Sequence, residues 1–329
     1  MIQLNNLKVK ILNKSESTPF VWQLSVLELV DKTLISGVVV FSLPFAHDRK
    51  TGYFKNFIRS ISSYFIKAYA VKVISIKFNG RSITTQTNSR GSFRVVIDEE
   101  VVNESVKINT SSGKDIEIVQ AYPIVFKKAS GKIDVISDVD DTIVVSYTKN
   151  VLKRIGSILF TPPRKRKPIG FTQSLFNCFE KKKARVHYIS KSESNLFAML
   201  TSIIQHNQLP LGNLILTPYL KFAQLFNSKK GRDYKLNHIT FILNHTQDKK
   251  YILIGDDSQK DMEVYATIVE RFPERVLKVY IRQTKSRVKT YQKMMLDNLK
   301  ATGIDYVYFN DDTALDAEAE YETLLNKIL

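Results

Sequence analysis

The chain has 329 residues, of which 43% are hydrophobic, and it carries one cysteine. That length can supply two ordinary domain cores, while a single cysteine excludes an internal disulfide and predicts a reducing, cytoplasmic setting. The net charge of +17 favours anionic partners, and the longest apolar stretch, near residues 35–46, is shorter than the about twenty residues that a membrane-spanning helix needs.

Residues 1–127 are predicted to form a β-sandwich domain. The first twenty lack the apolar core of a signal peptide, and the rest show short β-branched runs separated by Gly, Asn and Ser. Residues 78–81, with the sequence Phe-Asn-Gly-Arg, and residues 87–93 each resemble a hairpin turn. The segment 127–131 separates this region from a second domain, residues 132–329, in which strands alternate with helical stretches. That alternation predicts a parallel, three-layer α/β sheet.

The first strand of the second domain ends in a D-x-D-x-T signature formed by Asp138, Asp140 and Thr142. Side chains two apart on an extended segment face the same way, so the two carboxylates can converge on one ligand. Carboxylates that close repel unless Mg²⁺ or a shared proton joins them. The chemistry that fits is phosphoryl transfer, with Asp138 as nucleophile and Asp140 as general acid and then base. A calcium loop would have glycine where this chain has Ile143.

Basic clusters follow at residues 153–154, 164–167, 181–185 and 229–232, the first three interspersed with phenylalanines. Basic and aromatic residues together favour binding to an anionic membrane surface and, less strongly, to nucleic acid. The alternative is that these clusters form an ordinary solvated surface without a partner. Between the third and fourth clusters, an apolar strand ends in Ser190, which could hold a phosphate. It leads into a helical stretch, residues 193–209, whose Leu196, Leu200, Ile203 and Ile204 share one face.

A cation is then needed to neutralise charge on phosphoryl oxygens. Lys235, at the start of a predicted helix, is the first choice, and Lys221 is its rival. A solvated surface lysine is the alternative for either.

A second acidic element lies in residues 251–263, where a buried-strand run breaks at Gly255 and delivers Asp256 and Asp257. Asp261 follows in the first turn of a predicted helix. Because open α/β sheets bind ligands at the carboxyl edge of their strands, these carboxylates are expected to lie beside the D-x-D-x-T segment.

These elements together resemble the haloacid dehalogenase superfamily, and specifically its phosphatidate phosphatase branch of the actin-patch type, in the bacterial arrangement with a β-rich amino-terminal region. The matching segments are IDVISDVDDTIVVS at 133–146, RKPIGFTQSLF at 166–176, VHYISKSESNLF at 186–197, KLNHITFIL at 235–243, and the run at 250–282. Two motifs differ. Asp257, Ser258 and Met262 replace the usual Ser, Gly and Pro of the last motif, and Ser190-Lys-Ser192-Glu-Ser stands where the family has S-x-S-P-W.

The resemblance implies a Rossmann-like three-layer fold with a small cap inserted over the active site, which would put the first three basic clusters near its mouth. It also implies a Mg²⁺ cofactor and phosphatidate as substrate. By this resemblance, Asp138 is the phosphorylated nucleophile, and Asp140 is the general acid and base whose carbonyl binds Mg²⁺. Thr142 stabilises their loop, and Ser190 and Lys235 contact the phosphate. Asp256 is a metal ligand together with Asp257 or Asp261.

Two other functions stay open on the sequence. The same chemistry would serve a soluble phosphomonoester or a nucleic-acid phosphate end. A degenerate phosphatase domain could also hold a phosphorylated partner without catalysis, although the intact set of acidic residues and Lys235 argues against that.

Overall fold

The computed structural model describes residues 18–41, 65–98, 106–139, 142, 169–218, 231–257, 260–284, 287–310 and 315–328. These residues form a β-rich part followed by an α/β part. Within these ranges no helix is long and apolar enough to cross a membrane. Of the segment between the nucleophile strand and the Ser190 strand, where a small cap is expected, residues 143–168 lie outside the described residues.

The β-rich part is one sheet that curls around its own core. Its strands, in the order β4-β3-β6-β7-β1-β2-β5 with β8 beside β1, are β1 (Phe20–Glu28), β2 (Thr33–Val40), β3 (Val73–Phe78), β4 (Arg81–Gln86), β5 (Ser92–Ile97), β6 (Lys107–Thr110), β7 (Asp115–Ile118) and β8 (Val125–Phe126). The short β7 joins two halves, and apolar residues of both halves, such as Ile35 and Ile74, fill one core. The β-rich prediction is confirmed, with the two halves of the expected sandwich linked into a single path.

The two predicted turns have different outcomes. Asn79 and Gly80 both have positive φ, 47° and 75°, and join the paired strands β3 and β4, as a two-residue hairpin turn requires. The turn at 87–93 is also present, with the Asn88 side chain accepting hydrogen bonds from the backbone of Arg90 and Ser92. The hairpin predicted there is wrong, because β4 pairs with β3 and β5 pairs with β2. This turn instead crosses between the two ends of the sheet.

The α/β part contains a six-stranded parallel sheet in the order β11-β10-β9-β12-β13-β14. The strands are β9 (Ile133–Ser137), β10 (Val186–Glu193), β11 (Asn213–Thr217), β12 (Lys250–Asp256), β13 (Val276–Arg282) and β14 (Tyr306–Phe309). Numbered from its own first strand, this is the order 3-2-1-4-5-6 of doubly wound sheets. The Rossmann-like prediction is therefore confirmed, and the order reverses beside β9.

Helices cover both faces of this sheet. They are α1 (Gly170–Lys181), α2 (Phe197–His206), α3 (Gly231–Asn244), α4 (Asp261–Arg271), α5 (Thr290–Ala301) and α6 (Ala317–Asn326). Alternate residues of β9 point into different cores, Val135 with α1, α2 and α6, and Ile136 with α3, α4 and α5. The helical face predicted for α2 is confirmed, since Leu196, Leu200, Ile203 and Ile204 are all buried.

The two parts share one hydrophobic core. Trp22 and Tyr122 of the β-rich part pack edge-on against the Phe197 ring at the start of α2, with ring centroids 5.3 and 6.1 Å away. The Tyr122 hydroxyl donates a hydrogen bond to the Gly212 carbonyl at 2.7 Å. The interface is thus continuous with the interior of the α/β part.

Candidate active site

Asp138 lies immediately beyond β9, at the place where the strand order reverses. Its backbone N–H donates to the Ile254 carbonyl of β12 at 2.9 Å, and its side chain is fully buried. Tyr265 of α4 donates its hydroxyl to the same carbonyl at 2.8 Å. The sheet therefore fixes the backbone that presents this carboxylate.

Asp256, at the end of β12, and Asp261, at the start of α4, complete a buried acidic cluster with Asp138. Ligand oxygens of the three residues lie within 4.8 Å of one another. The close approach of α4 depends on Gly255, because a Cβ there would lie 2.7 Å from the Tyr265 ring and 3.0 Å from the Asp261 Cβ. The prediction that the two acidic elements meet at one sheet edge is confirmed for these three residues.

Lys235 of α3 is the cation that joins this cluster. Its Nζ is 2.6 Å from Asp138 Oδ1 and 2.7 Å from Asp261 Oδ1, and the side chain is 1% exposed. Burial alone would lower the pKa of Lys235, but Asp138 and Asp261 outweigh it and raise the pKa above the ordinary value. The ammonium therefore stays charged, and the alternative of a solvated surface lysine is wrong for Lys235.

Lys191 is a second cation that sequence reasoning did not select. Its Nζ lies 3.6 Å from Asp261 Oδ1. Burial lowers the pKa of Lys191, and the neighbouring carboxylate of Asp261 offsets part of that effect. For Asp261 itself, burial would raise the pKa, yet Lys235 and Lys191 hold it below the ordinary value. The signal was available, since Lys191 directly follows Ser190 on a predicted strand end.

Thr142 and Ser190 both lie near Asp138. The Thr142 hydroxyl is 3.4 Å from Asp138 Oδ2, and its carbonyl accepts a hydrogen bond from Thr172 of α1 at 3.3 Å. Tyr188 of β10 and Ile254 of β12 both pair with Ser137. Ser190 and Asp256, each two residues further on, therefore lie on the strands either side of β9, one residue level beyond Asp138. The Ser190 hydroxyl accepts the Ser192 N–H at 2.9 Å.

Asp257 occupies a different position from its neighbour Asp256. One oxygen accepts hydrogen bonds from the backbone and hydroxyl of Thr284, and the other accepts the Tyr308 hydroxyl at 2.7 Å. Both oxygens thus tie β12 to the loop after β13 and to β14. Asp257 and Asp261 were the two candidates for metal ligation beside Asp256. The described contacts place Asp261 in the acidic cluster and direct Asp257 to Thr284 and Tyr308.

The basic cluster at 181–185 lies at the opposite edge of the sheet. Helix α1 starts near the acidic cluster, through the contact of Thr172 with Thr142, and runs back so that Lys183 lies beside Gly131, just before β9. Arg185 is buried and pairs with Asp134 at 3.2 Å. The expectation that this cluster borders the active-site mouth is wrong, because the helix carries it to the amino ends of the strands.

The other predicted residues of the site lie outside the described part of the chain. They are Asp140, Lys221, and the basic clusters at 153–154 and 164–167.

The donor set fits a hard divalent cation. Carboxylate oxygens are the ligands that Mg²⁺ prefers, and three buried carboxylates this close carry more negative charge than Lys235 and Lys191 together balance. The second oxygen of Asp261, Oδ2, is buried and has no hydrogen-bond partner among the described residues. Asp138, Asp256 and Asp261 together can therefore hold a metal ion.

The same region matches a known protein family. Residues 133–283 match the family described as phosphatidate phosphatase APP1, catalytic domain. The match begins at the first residue of β9 and ends one residue after β13, so it includes every described residue of the acidic cluster and Lys235.

Two curated relatives share this region. One is an uncharacterised protein of Schizosaccharomyces pombe, 24% identical over 212 residues, which cover 61% of this chain and 34% of that protein. The other is the phosphatidate phosphatase APP1 of Saccharomyces cerevisiae, 26% identical over 202 residues, which cover 60% of this chain and 34% of that protein. The chain thus spans about a third of the length of these relatives.

Among solved structures, a class C acid phosphatase from Bacillus anthracis with tungstate bound aligns with a TM-score of 0.33 and 12% identity. The alignment covers 61% of this chain and 80% of that protein.

Proposed function

We propose that the chain is a phosphatase, because residues 133–283 match the catalytic domain of the APP1 phosphatidate phosphatase family, and that it hydrolyses phosphatidate to diacylglycerol and phosphate in a Mg²⁺-dependent reaction. The observation that carries the proposal is the contact of buried Lys235 with Asp138 and Asp261. It places a cation beside the carboxylate nucleophile, where a phosphoryl group would bind.

The proposed reaction has two steps. An Asp138 oxygen attacks the phosphorus, the bond from phosphorus to the glycerol oxygen breaks, and Asp140 gives its proton to that leaving oxygen. Asp140 then takes a proton from water, the water oxygen attacks phosphorus, and the bond to Asp138 breaks to release phosphate. Lys235 neutralises charge on the phosphoryl oxygens in both steps, and Ser190 holds the group between them.

Mg²⁺ bound by Asp138, Asp256 and Asp261, with the Asp140 carbonyl, would supply positive charge that offsets the developing negative charge of the transferred group. Asp256 and Asp261 would hold the ion at the sheet edge beside the nucleophile. Thr142 limits rotation of the Asp138 carboxylate through the contact to Oδ2.

The lipid substrate is supported by the activity for which the Saccharomyces cerevisiae relative is named and by the net charge of +17. A basic protein is drawn to anionic lipid surfaces, which fits a protein in the cytoplasm that contacts the membrane peripherally. A soluble phosphomonoester or a nucleic-acid phosphate end would use the same residues.

The test is Mg²⁺-dependent phosphate release from phosphatidate in mixed micelles, run beside a soluble aryl phosphate. We expect the rate on phosphatidate to exceed the aryl phosphate rate greatly and Asp138→Asn to abolish both. Release from the aryl phosphate alone would overturn the lipid substrate and retain the mechanism. Release that persists in Asp138→Asn would overturn the covalent route itself.

A further inference from the structure

Gln23 lies in the middle of β1 with a backbone conformation that residues other than glycine rarely adopt. Its φ is +58°, in the left-handed region where the Cβ crowds the backbone. The pairing of β1 with β2 shifts register between Trp22 and Ser25, so Gln23 and Leu24 together oppose Gly37 and form a bulge. A strained conformation at one position of an otherwise regular strand indicates that its side chain is held for a reason.

The Gln23 side chain crosses to the α/β part. Its Nε2 donates a hydrogen bond to the Ser194 carbonyl. Ser194 directly follows β10, the strand that carries Ser190 and Lys191. The bulge thus points a donor from the β-rich part at the end of the segment that borders the acidic cluster.

This segment depends on side chains for its position. Its pairing with β11 breaks between Ile189 and Glu193, so strand hydrogen bonds alone do not fix it. Thr217 donates its hydroxyl to the Lys191 and Ser192 carbonyls at 3.1 and 3.2 Å. Gln23 supplies a further contact, at the other end of the segment.

We propose that Gln23 is a positioning residue for the phosphatase site: the bulge of β1 holds the 190–194 segment through Ser194, and so fixes Ser190 and Lys191 relative to Asp138. The effect of Gln23 on catalysis rests on the proposed function. The proposal gives the β-rich part a task in the active site, because removal of this contact would loosen the phosphate-binding strand end while Asp138, Asp256 and Asp261 stay in place.

Gln23→Asn tests the proposal with little backbone disturbance. Asparagine adopts positive φ more readily than most residues, so the bulge is retained, but its side chain is one methylene shorter and loses reach to Ser194. Hydrogen exchange of residues 190–196 should become about fivefold faster because local opening is easier. On an aryl phosphate, kcat should fall about tenfold with KM nearly unchanged, since the lost interaction aligns reacting groups.

Ser25→Ala is the matched control. Ser25 lies on the same strand and donates to the Asn213 side chain across the same interface at 2.7 Å, away from the 190–194 segment. It should leave both hydrogen exchange of residues 190–196 and kcat within about twofold of the unmodified chain.

Unchanged exchange in Gln23→Asn would overturn the proposal whatever the activity, and so would equal losses in the two variants. If the unmodified chain releases no phosphate from any ester, the proposed function fails. The exchange result then still decides whether Gln23 holds the segment.

Discussion

At the scale of single residues, Lys235 connects two carboxylates that come from different elements. Asp138 follows β9 and Asp261 begins α4, and both lie within hydrogen-bond distance of the Lys235 ammonium. Buried charges of one sign are tolerated only with such a partner. Lys235 therefore serves both the stability of the site and its chemistry.

Lys235→Met should lower kcat by about 100-fold or more, because a preorganised cation is lost from the reacting group. It should also lower the free energy of unfolding by about 3–5 kcal/mol, since the carboxylates lose the cation that neutralises them. Steady-state kinetics and urea unfolding measure the two effects. Lys293→Met, on the exposed face of α5, should change neither, and near-normal turnover in Lys235→Met would contradict the assigned role.

His238 of α3 predicts part of the pH dependence of stability. Burial, followed by the charge of Arg94, lowers the pKa of His238 from 6.5 to about 4. The unfolded chain therefore binds a proton at His238 at a higher pH than the folded chain does. As pH falls from about 6.5 toward 4, this difference lowers the free energy of unfolding. By pH 5 the loss is roughly 2 kcal/mol.

Urea unfolding at pH 7 and pH 5 checks this value. The difference in unfolding free energy between the two pH values should be smaller in His238→Gln than in the unmodified chain, by roughly 2 kcal/mol. The same difference in both proteins would show that His238 titrates normally.

At the scale of elements, the site depends on how closely α4 approaches the end of β12. Gly255 permits this approach, because the Tyr265 ring and Asp261 occupy the space that a side chain would need. The same contact places Asp261 in the acidic cluster. A glycine before an aspartate is thus required here by packing.

Gly255→Ala should lower the free energy of unfolding by about 1–3 kcal/mol, as overpacking does in a filled core. It should also weaken Mg²⁺-dependent activity, because α4 and Asp261 must move away from Asp138 and Asp256. Gly170→Ala is the control, since a Cβ there meets nothing within 4 Å. Thermal unfolding and Mg²⁺ titration of activity distinguish the two, and equal behaviour would contradict the packing argument.

Several elements could be predicted because their residues carry strong local signals. The apolar run of β9, the helical face of α2 and the Asn-Gly turn all follow from periodicity or turn chemistry. Strand β1 was not identified. Its pattern is disturbed by the bulge at Gln23, and both of its faces are buried, Val21 in the β-rich core and Trp22 in the shared core. A strand between two cores shows no polar alternation to read.

In the active site, too, local sequence patterns predict some residues, while others depend on contacts between residues distant in sequence. Asp138, Asp256 and Asp261 could be placed at one edge from strand order and spacing. Lys191 carried a signal in its place directly after Ser190, although its distance to Asp261 depends on packing. The hydrogen bonds of Asp257 could not be predicted, because they depend on long-range contacts with Thr284 and Tyr308. The position of the 181–185 cluster could not be predicted either, because it depends on the direction in which α1 runs across the sheet.

At the scale of the whole molecule, the β-rich and α/β parts are joined by a common core. Trp22, Leu27, Tyr122 and Phe126 belong to the same buried cluster as Phe197. A division into domains at residues 127–132 stays a prediction. Apolar surface shared in this way is exposed when either part unfolds, which couples the two parts.

Differential scanning calorimetry should therefore show one cooperative transition, with the calorimetric enthalpy close to the van't Hoff enthalpy. Phe197→Ala, at the centre of the shared core, should lower the transition temperature and keep it single if the coupling is strong. Two resolved transitions in the unmodified chain would contradict a common core.

The measurement that tests the central claim most directly is chemical trapping of the acyl phosphate on Asp138. The protein is mixed with Mg²⁺ and substrate, quenched in acid and treated with borohydride, which reduces an aspartyl phosphate to homoserine and leaves free carboxylates intact. Peptide mass spectrometry should find homoserine at position 138 only when substrate is present. Steady phosphate release with no homoserine, or homoserine at another aspartate, would contradict Asp138 as the nucleophile.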